Sequence, residues 1–187
     1  MTFFKVNAAE LEVNLGAGNL LLLEFISLSS FGTDSLAFAA ESISGKYFGI
    51  GRLDLVKKSI KVAFQIGLSI GLVGSLVFFV FGRFILELLT NQQDVIQAAI
   101  PYLPWVIVAP IIHSIAFIWD GIYIGCTASK QMKWSLLTSI FLIFLPSYYF
   151  FLSLFGNHGV WFAFTLFMVS RGVIQTIQAI KGIYDRL

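Results

Sequence analysis

Five apolar stretches, each long enough to cross a bilayer, constrain this chain more than any other feature of its sequence. A helix rises about 1.5 Å per residue and the hydrocarbon layer is about 30 Å thick, so roughly 20 apolar residues span it. Stretches of that kind run from about Asn19 to Ala40, Val62 to Gly82, Tyr102 to Cys126, Trp134 to Phe155 and Gly159 to Ile180. A membrane β-barrel would instead show segments of about 10 residues alternating between lipid and lumen. These runs are longer and do not alternate, so the expected fold is all-α, a membrane bundle of five transmembrane helices.

Composition excludes the other classes. With 58% apolar and only 12% charged residues, and a mean hydropathy of +0.87, the chain lacks the polar surface of a soluble domain. One cysteine, Cys126, and two separated histidines, His113 and His158, give neither a disulfide framework nor a Cys/His metal cluster. A net charge of +2 without a basic run interleaved with aromatics argues against nucleic acid as a partner. No nucleophile elbow, HExxH or phosphate-cradling glycine loop is present, so an enzyme is not expected. The bilayer is the partner that the composition demands.

The polar connections are read as Glu41–Lys61, Arg83–Gln97, Thr127–Lys133 and the turn Gly156–Gly159, with Gly45–Gly51 as a loop hinge. No linker divides residues 19–187 into domains, and residues 1–18 are expected to form an extramembrane tail. Lys46, Arg52, Lys57, Lys58, Lys61, Lys130, Lys133, Lys181 and Arg186 fall on one side, and Lys5 and Arg83 on the other. Because Lys and Arg collect in cytoplasmic loops, the C-terminus is expected in the cytoplasm and, with five spans, the N-terminus outside. The expected location is the cell's inner, or plasma, membrane.

Ionisable groups inside these spans carry the functional argument. A charge near the centre of a lipid-facing helix costs at least about 2.5 to 3.5 kcal/mol on insertion scales, so it normally faces protein or a wet cavity. The first span holds Glu24 and Asp34 and closes on Glu41, and positions 24, 27, 31, 34, 38 and 41 share one face. In the third, His113, Asp120 and Thr127 are seven apart and stack on one face. Helical rise puts Asp120 about 15 Å in from Lys130 and Asp34 about 18 Å in from Lys46, both near the midplane. The two spans run in the same direction, so their acids share a cavity if the helices are neighbours.

A desolvated carboxylate at that depth can take up a proton or hold Na⁺. Alternatively, it only hydrogen-bonds a neighbouring helix. His113 is either a proton partner for Asp120 or an interhelical donor. Arg171, on a polar stripe with Gln175 and Gln178 in the fifth span, needs an acid partner, a wet cavity or snorkelling, and a structural ion pair is the expected role. Glu24 and Glu41 lie near the two interfaces, where charge costs little.

Other features point to packing. Gly67, Gly71 and Gly74 form a small-residue strip on the second span that permits close helix approach. Pro101, Pro104 and Pro110 at the entrance to the third span, and Pro146 in the fourth, favour bends. Tyr102, Trp134, Trp161 and Tyr184 are placed as interface anchors.

Three strings carry a family resemblance. TDSLAFAAESISGKYFGIG (Thr33–Gly51) resembles the eighth helix and following loop of DinF-type transporters of the multidrug and toxic compound extrusion (MATE) family. WDGIYIGCTASKQMK (Trp119–Lys133) resembles the tenth helix and loop of that branch, and GNHGVWFAFTLFMVSRG (Gly156–Gly172) the start of its last helix. The spacing of the three blocks also agrees, and the resemblance covers the chain from about Asn19 onward.

The resemblance implies a twelve-helix fold in two lobes, of which this chain is similar to the last five helices. It implies an antiporter exporting cationic or amphipathic compounds against H⁺ or Na⁺, without another cofactor. Asp120 matches the acid of the tenth helix, and Asp34 and Glu41 match acids of the eighth. The N-lobe and the seventh helix would lie outside this chain, on a separate chain or on the rest of a longer one, and the five helices alone would not transport. The alternatives are a non-transporting membrane remnant or scaffold subunit, or a lipid-precursor flippase of the same superfamily.

Overall fold

No proline occurs before position 101, and the first two helices run on well beyond the apolar stretches that define them. The computed structural model describes the backbone of residues 2–182 and the side chains of residues 13–179. α1 covers Thr2–Gly49 and α2 covers Leu53–Leu89. The expected connection Glu41–Lys61 is thus helical except at Ile50–Arg52, and the Gly45 end of the expected hinge lies inside α1. Charge in these turns marks where the helices leave the apolar layer rather than where they stop. The reversal is made at Gly51, whose φ of +70° favours a residue without a Cβ. Residues 2–18 likewise continue α1 without a break. Tyr184 and Arg186 lie outside the described residues, as do the side chains of Lys5 and Lys181.

α3 (Gln93–Ala99) leads through a 3₁₀ turn at Ile100–Tyr102 into α4 (Leu103–Gly125). Pro101 and Pro104 sit in first turns, where a missing N–H removes nothing. Pro110 alone of the three is interior to α4. Thr127 lies past the end of α4 with φ of +54°, so it leaves the helical face it was expected to share with His113 and Asp120. The fourth span is α5 (Ser129–Thr138), a π-helical segment (Ser139–Phe144) and α6 (Leu145–Phe155). The wide turn directly precedes Pro146, which has no N–H to donate and crowds the carbonyl one turn back. Gly156, at φ +54°, turns the chain into α7 (Asn157–Gly182).

Among the described residues there is no strand, and five helical rods are long and apolar enough to cross a membrane. α4 is the centre of the bundle, with α1, α2 and α7 packed on it. Two apolar clusters fill the interior, one around Leu22, Phe25, Phe78, Val106 and Ala109 and the other around Val56, Ile60, Ile118, Ile122 and Tyr123. The outer face of α2 carries exposed Leu72, Leu76, Phe79 and Val80, an exterior suited to acyl chains rather than water.

Glycines decide how closely the helices approach. A Cβ on Gly71 would lie 2.8 Å from the Pro110 carbonyl oxygen, so α2 meets α4 where the proline is. Gly121 and Gly125 put the α4 backbone against the Ala37 and Glu41 carbonyls of α1, with Gly45 facing Gly125. The pairing of 37 with 121 and 41 with 125 makes α1 and α4 parallel neighbours. This four-residue spacing is the small-xxx-small pattern that lets membrane helices touch backbone to backbone.

Candidate functional site

The α4–α7 seam is built from polar side chains on facing stretches of both helices. Asp120 accepts a hydrogen bond from the Gln175 amide at 2.7 Å and forms an ion pair with Arg171. One turn along, the Tyr123 hydroxyl donates to the Gln175 backbone carbonyl at 2.7 Å, and the Trp119 indole donates to the Thr176 hydroxyl at 2.8 Å. The residues that meet rise in number together, from Trp105 with His158 through His113 with Phe164 to Asp120 with Arg171, so α7 runs parallel to α4. The Arg171 and Asp120 side chains are 14% and 20% exposed, too deep for the pair to be screened as a surface pair would be.

Asp34 is half-buried on α1 and close enough to Asp120 to interact with it electrostatically. The cause is the register set by glycine: Asp34 precedes Ala37 by one turn, and Asp120 adjoins Gly121, which touches Ala37. The two acids therefore belong to one electrostatic neighbourhood, in which, among the described residues, Arg171 is the cation acting on Asp120. Glu41, two turns further along α1, is half-buried; its carbonyl lies against Gly125. Glu24 is exposed toward the other end.

His113 is buried two turns before Asp120, with its ring edge-on to Phe117 and Phe164 at centroid separations of 5.9 and 5.6 Å. Its Nδ1 has no hydrogen-bond partner among the described residues, so no interhelical bond to them is made from that atom. Arg171 is near enough to interact with it electrostatically. His113, Arg171 and Asp120 thus lie along one line of α4–α7 contacts.

Tyr123, Trp119 and Thr176 join this seam without having stood out in the sequence. The available signal was their helical spacing, Trp119 and Tyr123 flanking Asp120, and Thr176 adjoining Gln175. Trp161 differs from the interface anchor it was expected to be. It is 4% exposed, and its indole donates to Asn19, which also exchanges amide hydrogen bonds with Asn157 at 2.8 and 2.9 Å. That clasp ties the starts of the α1 span and α7 together. Trp134 is exposed, as an anchor requires.

Were both carboxylates ionised, the one guanidinium would leave a negative charge in excess, which a proton, Na⁺ or an organic cation could neutralise. Among the described residues no cluster of His, Cys, Asp and Glu is arranged as a metal site.

Comparison with known proteins adds lineage to this geometry. The model of the family described as MatE matches residues 12–150. DNA damage-inducible protein F of Escherichia coli (strain K12) is 27% identical over 173 residues, which cover 90% of this chain and 36% of that protein. Protein DETOXIFICATION 44, chloroplastic, of Arabidopsis thaliana is 27% identical over 161 residues, 83% of this chain and 30% of that protein. The chain spans about a third of the length of these curated relatives.

Proposed function

Because this chain belongs to the MatE family, we propose that it forms most of the second lobe of a cation-coupled antiporter that extrudes toxic amphipathic or cationic compounds. Residues 19–187 make up that part of the lobe and residues 1–18 lead into it. The carrying observation is the Asp120–Arg171 ion pair on the α4–α7 seam, with Asp34 of the neighbouring α1 within electrostatic reach of Asp120. A carboxylate in such a place must always have a partner, because an unpaired ion in the interior costs several kcal/mol. Arg171 is one such partner, and H⁺ or Na⁺ is a mobile one. Exchange of partners at Asp120 couples ion entry to release of a cationic cargo, since both compete for the same negative charge.

The basic residues at the close of α1, at the starts of α2 and α5 and at the close of α7 support placing that side in the cytoplasm, in a plasma membrane. The remaining helices, on the same polypeptide or a second one, supply the facing lobe. The word "DETOXIFICATION" in one relative's name fits a xenobiotic cargo.

Asp120→Asn tests this reading in the complete transporter. Export is expected to fall to background while membrane insertion and yield persist, and unchanged export would remove Asp120 from coupling. Proteoliposomes holding this chain alone are expected to show no ion-coupled flux, with flux appearing when the rest of the transporter is added. Flux from the isolated chain would overturn the partial-lobe reading, and no flux from the complete assembly would favour a scaffold.

A further inference from the structure

Several buried polar atoms on one side of Asp120 have no partner among the described residues. They are Nε of Arg171, Oε1 of Gln175, Oε1 of Gln178 and Oγ of Ser139. Three of the four lie on α7 at steps of four and three residues, which places them in one stripe extending about 10 Å along the helix from Arg171. Gln175 is completely buried, so no further helix packed on the outside could reach it. Its amide nitrogen is committed to Asp120, which fixes the carbonyl oxygen as the orphan.

The π-helical segment brings a second and independent line of support. Ring contacts of Phe144 with Phe167 and of Phe151 with Phe162 fix an antiparallel register between the fourth span and α7. Continued to Ser139, that register puts its unpartnered, fully buried hydroxyl level with residues 172–174. A π-helical turn leaves the regular ladder of backbone bonds, and here it does so beside the orphaned side chains. Buried polar groups are ordinarily satisfied by protein or by ordered water. Four orphans in one seam, beginning at an ion pair and ending near the close of α4, make a row of sites suited to water.

We propose that the seam between α4, α7 and the π-helical turn of the fourth span is a hydrated track connecting Asp120 with the end of the bundle where α4 finishes. Water in the track accepts from Arg171 Nε, donates to the Gln175 and Gln178 carbonyl oxygens, and exchanges bonds with Ser139. A proton held by the Asp120 carboxylate leaves through that end, and the freed carboxylate returns to Arg171. The significance for exchange rests on the function proposed above, but the track is a property of this chain and is tested without transport.

Single cysteines at Gln175, Gln178, Val173 and Ile177, in a Cys126→Ser background in lipid nanodiscs, distinguish water from lipid. A thiol reacts with a methanethiosulfonate reagent as the thiolate, which forms in water and not among acyl chains. With the small water-soluble ethylammonium reagent, Gln175→Cys and Gln178→Cys are expected to react at least about tenfold faster than Val173→Cys and Ile177→Cys. The controls lie on the exposed face of α7, each about half exposed. Equal rates at all four positions would overturn the track. Should the Gln175 variant fail to fold, hydroxyl-radical footprinting of the unmodified chain reads the same water. Tyr123 is expected to be oxidised despite full burial while the equally buried Phe25 is protected, and protection of both would refute the proposal.

Discussion

On one side, α4 meets α1 at Gly121 and Gly125, where backbone lies against backbone. On the other it meets α7 through Asp120, Trp119 and Tyr123, each bonded to a polar group of α7. Lipid tails are as apolar as leucine, so membrane helices gain little from burying apolar surface against one another. What remains is close packing, which the first seam uses, and hydrogen bonding away from water, which the second uses. The glycine seam sets the relative depth of Asp34 and Asp120. The polar seam supplies the counter-charge without which Asp120 would be costly to bury.

Removing Arg171 should break this comparison most severely. Arg171→Leu leaves Asp120 uncompensated and is expected to destabilise the bundle by about 3 kcal/mol, the lower end for a broken buried pair because both partners keep some exposure. The double variant Asp120→Leu with Arg171→Leu should recover much of that loss. Unfolding of the single and double variants in mild detergent, read by the residual helical signal, measures the difference.

Next in size is the glycine seam. Gly121→Leu forces a side chain into the Ala37 backbone, where the obstacle is a rigid main chain, and about 2 kcal/mol of destabilisation is expected. The same unfolding assay checks it, and a neutral result would mean that α1 and α4 do not touch there. Tyr123→Phe deletes the single bond to the Gln175 carbonyl and should cost about 1 kcal/mol, with helix content unchanged. Smallest is Arg83→Ala, which removes an exposed pair with Glu87 and should shift stability by no more than about 0.5 kcal/mol.

Much of the fold was legible because lipid imposes a simple rule. A backbone that cannot bond to water must bond to itself, so long apolar stretches become helices and their number can be counted. Their ends were less legible: the turns around Lys46 and Lys57 are helical although charged, because charge alone does not stop a helix that has no proline or suitable cap. In the site, helical rise gave only an expected depth for Asp34, Asp120 and Arg171. That Arg171 chooses Asp120, and that Trp161 faces Asn19 rather than the interface, depends on which helix lies beside which.

The amino-acid order by itself determined that this chain crosses a bilayer five times and that acids and an arginine sit in its interior, because apolar run length and helical rise are local quantities. Only the tertiary structure decided that α4 stands between α1 and α7, that Gly121 and Gly125 rather than the α2 strip hold the acids in register, and that Arg171 answers Asp120. Those are choices of neighbour, and they follow from shape and hydrogen bonding between residues far apart in the chain.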